Sequence, residues 1–276
     1  MDQSPIAVNE YNTFRRYLED ACGIVLGENK HYLVTSRLKR VTEEFSFPTL
    51  SDMMTTLVKG NDRRLREKVI DAMTTNETMW FRDVYPFEIL KNELLPELAQ
   101  NNAPIKIWSA ASSTGQEAYS ISMTASEFQQ VNPGKLTSNL EIVGTDISQT
   151  VVNKAKLGSY DELSVVRGLS PQRRDKFFSK KDDDWVINPD IAKRTRFTEL
   201  NLLSSYSLLG KFDIIFCRNV LIYFSSEMKK DILERMADIL KPGGTLILGG
   251  SESPTGYTKK FAMKRYPDGV VYRLNE

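Results

Sequence analysis

Histidine, cysteine and net charge are all scarce in this sequence, and each shortage excludes something. The single histidine, His31, stands among 276 residues, inside a helical stretch and away from any strand tip, so it reads as a structural or surface residue and not as a general base. The two cysteines, Cys22 and Cys217, lie far apart and form no CxxC pair, which argues against a structural zinc site and a disulfide framework and points to a reducing cytoplasm. Lys+Arg number 37 against 36 Asp+Glu, so a general electrostatic grip on nucleic acid or anionic lipid is not indicated. No apolar run approaches a membrane span, and the N-terminus lacks the basic start and apolar core of a cleaved signal. Neither the GxGxxG pattern of dinucleotide sites nor the GxxxxGK[ST] phosphate loop occurs. There is no internal repeat and no low-complexity tract.

The 41% hydrophobic content is enough to fill a sizeable core at this length. From residue 9 to about 72 the apolar residues fall at helical spacing, as in Phe14, Tyr17 and Leu18, then Val34, Leu38, Val41 and Phe45, then Leu65, Val69 and Ile70. After Asn101 the pattern changes. IKIWSAA, LEIVGTD, FDIIFCRN and GTLILGG are short apolar runs that end in polar or turn-forming residues, as buried parallel strands do. Helical stretches such as EAYSISMTASEFQQ and SSEMKKDILERMADIL alternate with them, which predicts a doubly wound α/β sheet. The charged section from Pro171 to about 198 predicts a small antiparallel β insert, and FAMKRY and VVYRL around Pro-Asp-Gly predict a C-terminal hairpin that closes the sheet. The expected organisation is a helical domain over 1–73, a junction over 74–100 and an α/β domain over 101–276.

Three strand tips and the junction carry the polar residues of interest. IKIWSAASSTGQEAYS is a strand, a small-residue loop and a helix start, which either brings backbone close to a ligand or is simply a tight turn. Asp146 ends the next strand, where its carboxylate either accepts from ribose hydroxyls or caps the following helix. FDIIFCRNVLIYF delivers Arg218 and Asn219 to the same edge. KPGGTLILGG reads as a helix stop, a glycine turn and another strand. TTNETMWFRD, residues 74–83, is far less bland than a linker, although a helix-capping turn with a solvated Arg82 accounts for its composition. A small-residue loop after one strand and an acid after the next is how class I methyltransferases hold S-adenosylmethionine.

Taken together, TTNETMWFRD, WSAASSTGQEAYS, VGTDIS, FDIIFCRNVLIYF and LKPGGTLILGGSES resemble the chemotaxis receptor methyltransferase family, CheR, in order and spacing over nearly the whole chain. The resemblance implies a class I methyltransferase fold: a mostly parallel sheet with an antiparallel C-terminal strand, preceded by a small all-α domain and carrying the β insert. It implies S-adenosyl-L-methionine as cofactor, S-adenosyl-L-homocysteine as product, and methylation of glutamate side chains on the cytoplasmic helical bundle of chemotaxis receptors. By the same resemblance, Asn76, Thr78 and Arg82 reach the cofactor from the junction, Glu117 and Asp146 anchor it from the sheet, Asn201 and Leu202 flank the adenine, and Arg218 and Asn219 complete the pocket. Arg82 and Tyr223 are expected nearest the transferred methyl.

The family's fuller pattern puts a glycine-rich loop in the insert, where some members grip a pentapeptide receptor tether. The turn SKKDDDW here is shorter and has no glycine, which predicts a tether-independent enzyme. Arg37, Lys39 and Arg40, beside the apolar stripe Val34, Leu38 and Val41, form one basic edge for an acidic partner, and Arg63, Arg64 and Arg66 form another; a solvated charged face is the plainer account of both. Two competing readings keep the cofactor: a methyltransferase for another acceptor, and a non-catalytic regulator that binds S-adenosylmethionine. A monomer is expected.

Overall fold

The structure, a computed structural model, describes residues 6–60, 62–101, 103–136 and 139–275. Its first part is the expected helical domain, built from α1 (Val8–Cys22), α2 (His31–Glu44), α3 (Leu50–Val58) and α4 (Arg63–Met73). The apolar stripes read from the sequence meet in one core, where Phe14, Leu18, Val34, Leu38, Met53, Leu65 and Val69 are fully buried. Helix boundaries follow local chemistry. Thr49 Oγ1 accepts from Asp52 N at 3.1 Å at the start of α3, and Asp62 Oδ1 accepts from Leu65 N at 2.9 Å at the start of α4. Each such cap stabilises by about 1 kcal/mol. Helix α1 stops at Gly23, whose φ of 78° is left-handed and whose N–H bonds Glu19 O at 2.8 Å.

The strands are β1 (Ile105–Ala110), β2 (Leu140–Asp146), β3 (Ser159–Tyr160), β4 (Phe178–Lys181), β5 (Asp184–Ile187), β6 (Thr195–Glu199), β7 (Phe212–Cys217), β8 (Leu240–Leu248), β9 (Phe261–Tyr266) and β10 (Gly269–Leu274). Seven form a sheet of order β6-β2-β1-β7-β8-β10-β9, in which the first five are parallel, β10 pairs antiparallel with β8, and β9 pairs antiparallel with β10. The four apolar runs are continuous because both sheet faces are covered. Ile107, Ile142, Ile214 and Phe216 pack towards helix Gln116–Val131, while Trp108, Val143, Ile215 and Cys217 pack towards helix Ser226–Ile239. From β1 the chain winds first to β2 and β6, then crosses to β7 and β8. The switch point between β1 and β7 therefore opens a crevice at the carboxyl edge of the sheet.

Three details depart from the sequence reading. Residues 195–199, placed in the β insert, form edge strand β6 of the large sheet, paired with β2. The insert is a three-stranded antiparallel sheet of order β3-β5-β4, so its third strand comes from Ser159–Tyr160, ahead of the expected span. The glycine turn expected at KPGG is the irregular start of β8, where the register against β7 shifts between Phe212 and Ile214 and Gly243 takes a φ of 68°. Between the helical domain and β1, residues Tyr85–Ile89 are α-helical, Leu90–Leu94 form a π turn and Leu95–Ala99 continue the helix, with Ile89, Leu90, Leu94 and Leu95 buried in the sheet core.

Candidate active site

A cavity lies over the switch point, and its walls come from the helical domain, the junction and the loops after β1, β2, β6 and β7. The α1–α2 connection and α2 contribute Val25 and Arg37, the junction contributes Asn76 and Arg82, and the loop after β1 contributes Ala111 and Ser113. Asp146 follows from the end of β2, Asn201 and Leu202 from beyond β6, and Arg218, Asn219 and Tyr223 from beyond β7.

The loop after β1 owes its path to small residues. Ala111, Ser113 and Gly115 have φ of 56°, 51° and 94°, a left-handed path that bulky or branched side chains resist. Ser113 N donates to Asp146 Oδ2 at 2.8 Å, and Ser113 Oγ donates to Asn76 O at 2.8 Å, which ties the loop both to β2 and to the junction. Asp146 is buried, and Ser148 N donates to its Oδ1 at 3.0 Å. Burial pushes the Asp146 carboxyl up, with the N–H donors at Ser148, Ser113 and Ile147 opposing it. The following helix, Gln149–Leu157, is capped by Ser148, whose side chain accepts from Val151 N. Asp146 is therefore not the cap, and its carboxylate borders the cavity.

Beyond β7, Arg218 is almost completely buried. Its guanidinium donates to Glu117 Oε2 at 2.9 Å, Asp83 Oδ2 at 2.6 Å and Arg82 O at 2.8 Å. Asn219 follows at a φ of 57°, and the chain then makes a 3-10 turn over Leu221–Tyr223. Glu252 fills the hollow of this turn, accepting from Asn219 N, Val220 N and Leu221 N at 2.7, 3.0 and 2.8 Å. Arg218 Nε and Asn219 Oδ1 are buried without a hydrogen-bond partner among the described residues. A buried unpaired polar atom costs stability, so such atoms beside a cavity are suited to a ligand's polar groups.

The junction is held in a strained shape. Phe81, Asp83 and Val84 have φ of 48°, 65° and 56°, and for a β-branched valine this region is an outlier. Its anchors lie on both sides. Trp80 Nε1 donates to Ser164 O at 3.0 Å, Trp80 N donates to Arg167 O at 3.2 Å, and Phe81 N donates to Ser120 Oγ at 3.1 Å. Arg173 stacks 3.7 Å from the Phe81 ring centroid. Among the described residues the Arg82 side chain makes one hydrogen bond, from Nη1 to Glu77 O at 3.3 Å, and Arg82 borders the cavity.

Of the sequence-predicted residues, Asn76, Arg82, Asp146, Asn201, Leu202, Arg218, Asn219 and Tyr223 line the cavity. Thr78 and Glu117 do not. Glu117 instead bonds Ser109 Oγ and Arg218, so it acts on the cavity only through Arg218. Arg37, expected on a docking edge, turns inward and donates to Met73 O at 2.7 Å, Thr74 O at 3.2 Å and Thr75 Oγ1 at 3.1 Å, pinning the end of α4. Lys39 and Arg40 are exposed, as are Arg63, Arg64 and Arg66. Arg63 pairs with Glu67 and Arg64 with Glu44. His31 stacks on Tyr11 with ring centroids 3.7 Å apart. Not named individually from the sequence were Arg37 as a wall residue, the α1–α2 connection, Ser113 and Glu252. Ser113 lies in the small-residue loop and Glu252 in the GGSES segment, both of which the sequence marks, whereas nothing in it marks the α1–α2 connection.

A five-strand parallel core closed by an antiparallel hairpin, with a small-residue loop and an acid at adjacent strand tips, is the arrangement of class I S-adenosylmethionine-dependent methyltransferases. Family comparison names the particular kind. Residues 9–74 match the family model described as "CheR methyltransferase, all-alpha domain", and residues 76–270 match "CheR methyltransferase, SAM binding domain". The chain belongs to the CheR methyltransferase family, and S-adenosylmethionine is its cofactor. It is 54% identical over 270 residues to the "Chemotaxis protein methyltransferase" of Vibrio parahaemolyticus serotype O3:K6, covering 98% of each chain. It is 54% identical over 270 residues to "Chemotaxis protein methyltransferase 1" of Vibrio cholerae serotype O1, again covering 98% of each. It is 49% identical over 267 residues to "Chemotaxis protein methyltransferase Cher2" of Pseudomonas putida, covering 96% of this chain and 97% of that one. Among the described residues no helix is long and apolar enough to cross a membrane.

Proposed function

We propose that this protein methylates glutamate side chains of chemotaxis receptors, forming glutamate methyl esters and S-adenosylhomocysteine. The reading is carried by full-length similarity to chemotaxis protein methyltransferases together with one cavity that holds Arg82, Tyr223, Asp146 and Asn219. The residues fit the cofactor. Asp146 has a carboxylate lone pair left over for a ribose hydroxyl beyond the N–H bonds from Ser113, Ser148 and Ile147. Leu202 and Val220 supply apolar wall for an adenine, and the unpartnered Asn219 Oδ1 is an acceptor suited to the ammonium of the methionine part. Asn76 and Asn201 also border the cavity, whereas Glu117 contributes by holding Arg218 and Thr78 stands outside the wall.

When bound, S-adenosylmethionine supplies an electrophilic methyl on a sulfonium. The acceptor carboxylate is already ionised at neutral pH, with an ordinary pKa of about 4.3, so the chain needs no general base. Its work is alignment and exclusion of water. Arg82 orients the acceptor carboxylate by charge, and Tyr223 borders the same space. The acceptor is the receptor's helical bundle, approached through Lys39 and Arg40, which stand exposed on α2. Binding does not require a C-terminal pentapeptide tether. The insert turn at Asp182–Asp183 has no glycine, and Trp185 of the insert is engaged by Glu162 and Arg174 of its own surroundings.

The test uses methyl-labelled S-adenosylmethionine and receptor cytoplasmic fragments with and without their C-terminal tails, followed by alkali and counting of volatile methanol. Base-labile label is expected on both forms. Arg82→Ala is expected to lower kcat by about 100-fold, an amount typical for loss of a positioning charge, while S-adenosylhomocysteine affinity changes little. Label that is stable to alkali, or no label with every fragment, overturns the glutamyl ester.

A further inference from the structure

The turn that carries Asn219 and Tyr223 is organised around a carboxylate of the protein itself. Glu252 Oε2 accepts from Asn219 N at 2.7 Å and from Gly249 N at 2.9 Å, while Oε1 accepts from Val220 N at 3.0 Å and Leu221 N at 2.8 Å. Consecutive N–H groups that converge after a left-handed residue form an anion-binding nest, and Asn219 is that residue, with a φ of 57°. The nest here is filled from within the chain. Gly249 is required to admit the carboxylate, since a Cβ built there would lie 2.7 Å from Glu252 Oε2 and 2.9 Å from Asn219 Nδ2. None of the residues read as carrying chemistry includes Glu252, and it does not border the cavity.

We infer that Glu252 is the positioning residue of the active-site turn: its carboxylate fixes the backbone of residues 219–221 so that Asn219 and Tyr223 face the cofactor and the acceptor. The inference rests on the methyltransferase reading above for what the turn does, but not for how the turn is held. A carboxylate offers about four lone-pair directions, all of them acceptors, and this nest uses four donors. A glutamine of the same shape replaces one of the two oxygens by an NH2, which faces N–H groups instead of accepting from them. Glu252→Gln therefore unseats the turn without opening a hole.

The experiment measures S-adenosylhomocysteine binding by calorimetry, without receptor, for the wild type, Glu252→Gln, Asn219→Ala and the double variant, together with kcat and KM on a receptor fragment. Glu252→Gln is expected to weaken S-adenosylhomocysteine binding about tenfold and to lower kcat more than it raises receptor KM. The double variant is expected to bind within about twofold of Asn219→Ala alone, because residues that act as a unit are not additive. Multiplied losses in the double variant, or wild-type binding by a folded Glu252→Gln, overturn the inference. Two further measurements keep it testable if Glu252→Gln fails to fold. Gly249→Ala, which displaces the carboxylate without removing it, is expected to weaken binding in the same direction. In the wild type, the amides of 219–221 are expected to exchange as slowly as those of β7; fast exchange there overturns the nest. Because calorimetry needs no acceptor, a wild type that binds cofactor but labels no receptor would count against glutamate methylation and leave this inference standing.

Discussion

Arg218 offers the sharpest energetic test of how the cavity is built. Its side chain is 2% exposed, and its two carboxylate partners differ: Glu117 is 13% exposed and Asp83 is 42% exposed. The Asp83 contact is shorter, 2.6 Å against 2.9 Å, but solvent screens it, so its contribution is held below about 1 kcal/mol. Glu117 is enclosed and, without Arg218, keeps only the Ser109 hydroxyl among the described residues. Removing one partner of a buried pair costs about 3–5 kcal/mol because the other charge is stranded. Arg218→Ala should therefore destabilise by about that amount, Glu117→Gln by about 1.5–3 kcal/mol, and Asp83→Asn by less than about 1 kcal/mol. At about 2–4 °C per kcal/mol for a chain of this size, Arg218→Ala shifts the Tm by roughly 6–20 °C. Differential scanning calorimetry on the three variants reads the order directly. A loss in Asp83→Asn as large as in Glu117→Gln would show that the shorter contact decides and that burial does not, which refutes the reasoning.

Gly23→Ala should destabilise by about 1–3 kcal/mol through overpacking, since its Cβ would lie 2.3 Å from the Phe224 ring at a left-handed φ; Phe224 also lines the cavity, so calorimetry should record weaker S-adenosylhomocysteine binding alongside the lower Tm. Charge reversal at Lys39 and Arg40 together should raise the receptor KM several-fold and leave S-adenosylhomocysteine affinity unchanged; an unchanged KM in steady-state kinetics removes α2 from the docking surface. Burial pushes the Cys22 thiol up to about 11, so at pH 8 only about 0.1% is thiolate, rising tenfold per pH unit below the pKa. Iodoacetamide should label Cys22 at pH 8 only after denaturation, and stoichiometric labelling of native protein by mass spectrometry would contradict its burial.

How far the sequence could be read depended on where each side chain is buried. Strands β1, β2, β7 and β8 are covered on both faces, so their apolar runs were plain. Strand β6 is an edge strand with one buried residue, Phe197, among Thr195, Arg196, Thr198 and Glu199. Arg196 spends its charge on Glu141 of the neighbouring strand. Such a segment carries no periodic signal and looks like polar insert. The two-residue β3 is too short to show any alternation. At the site, residues that reach the cavity by standing at strand tips were legible, whereas Glu117, in the first turn of a helix, faces Arg218 by a geometry that spacing along the chain does not encode. Arg37 illustrates the same limit. Its charge suggested a docking edge, but its partners are backbone carbonyls 36 and 37 residues away, and the burial of those carbonyls is invisible in one dimension.

If the acceptor is a carboxylate, as proposed, the cavity's charges single out which arginine is free to meet it. Arg218 spends Nη1 and Nη2 on two carboxylates and a carbonyl, with Nε alone left without a partner among the described residues, and Arg37 donates to two carbonyls and a hydroxyl. Asp146 is held by backbone N–H groups, and Glu77 pairs with Arg167. These groups give the walls their shape, and a charge already satisfied at short range contributes little attraction to a newcomer. Arg82 differs, because among the described residues its side chain's one hydrogen bond is to a carbonyl at 3.3 Å, close to the limit at which a hydrogen bond retains strength. Its backbone is nevertheless fixed, with its carbonyl bonded by Arg218 and left-handed residues at Phe81 and Asp83 on either side. A rigid backbone that presents a loosely engaged guanidinium is the arrangement a transient anionic substrate needs: the cation keeps capacity for bidentate contact, and the ordering of its main chain is complete before the acceptor arrives.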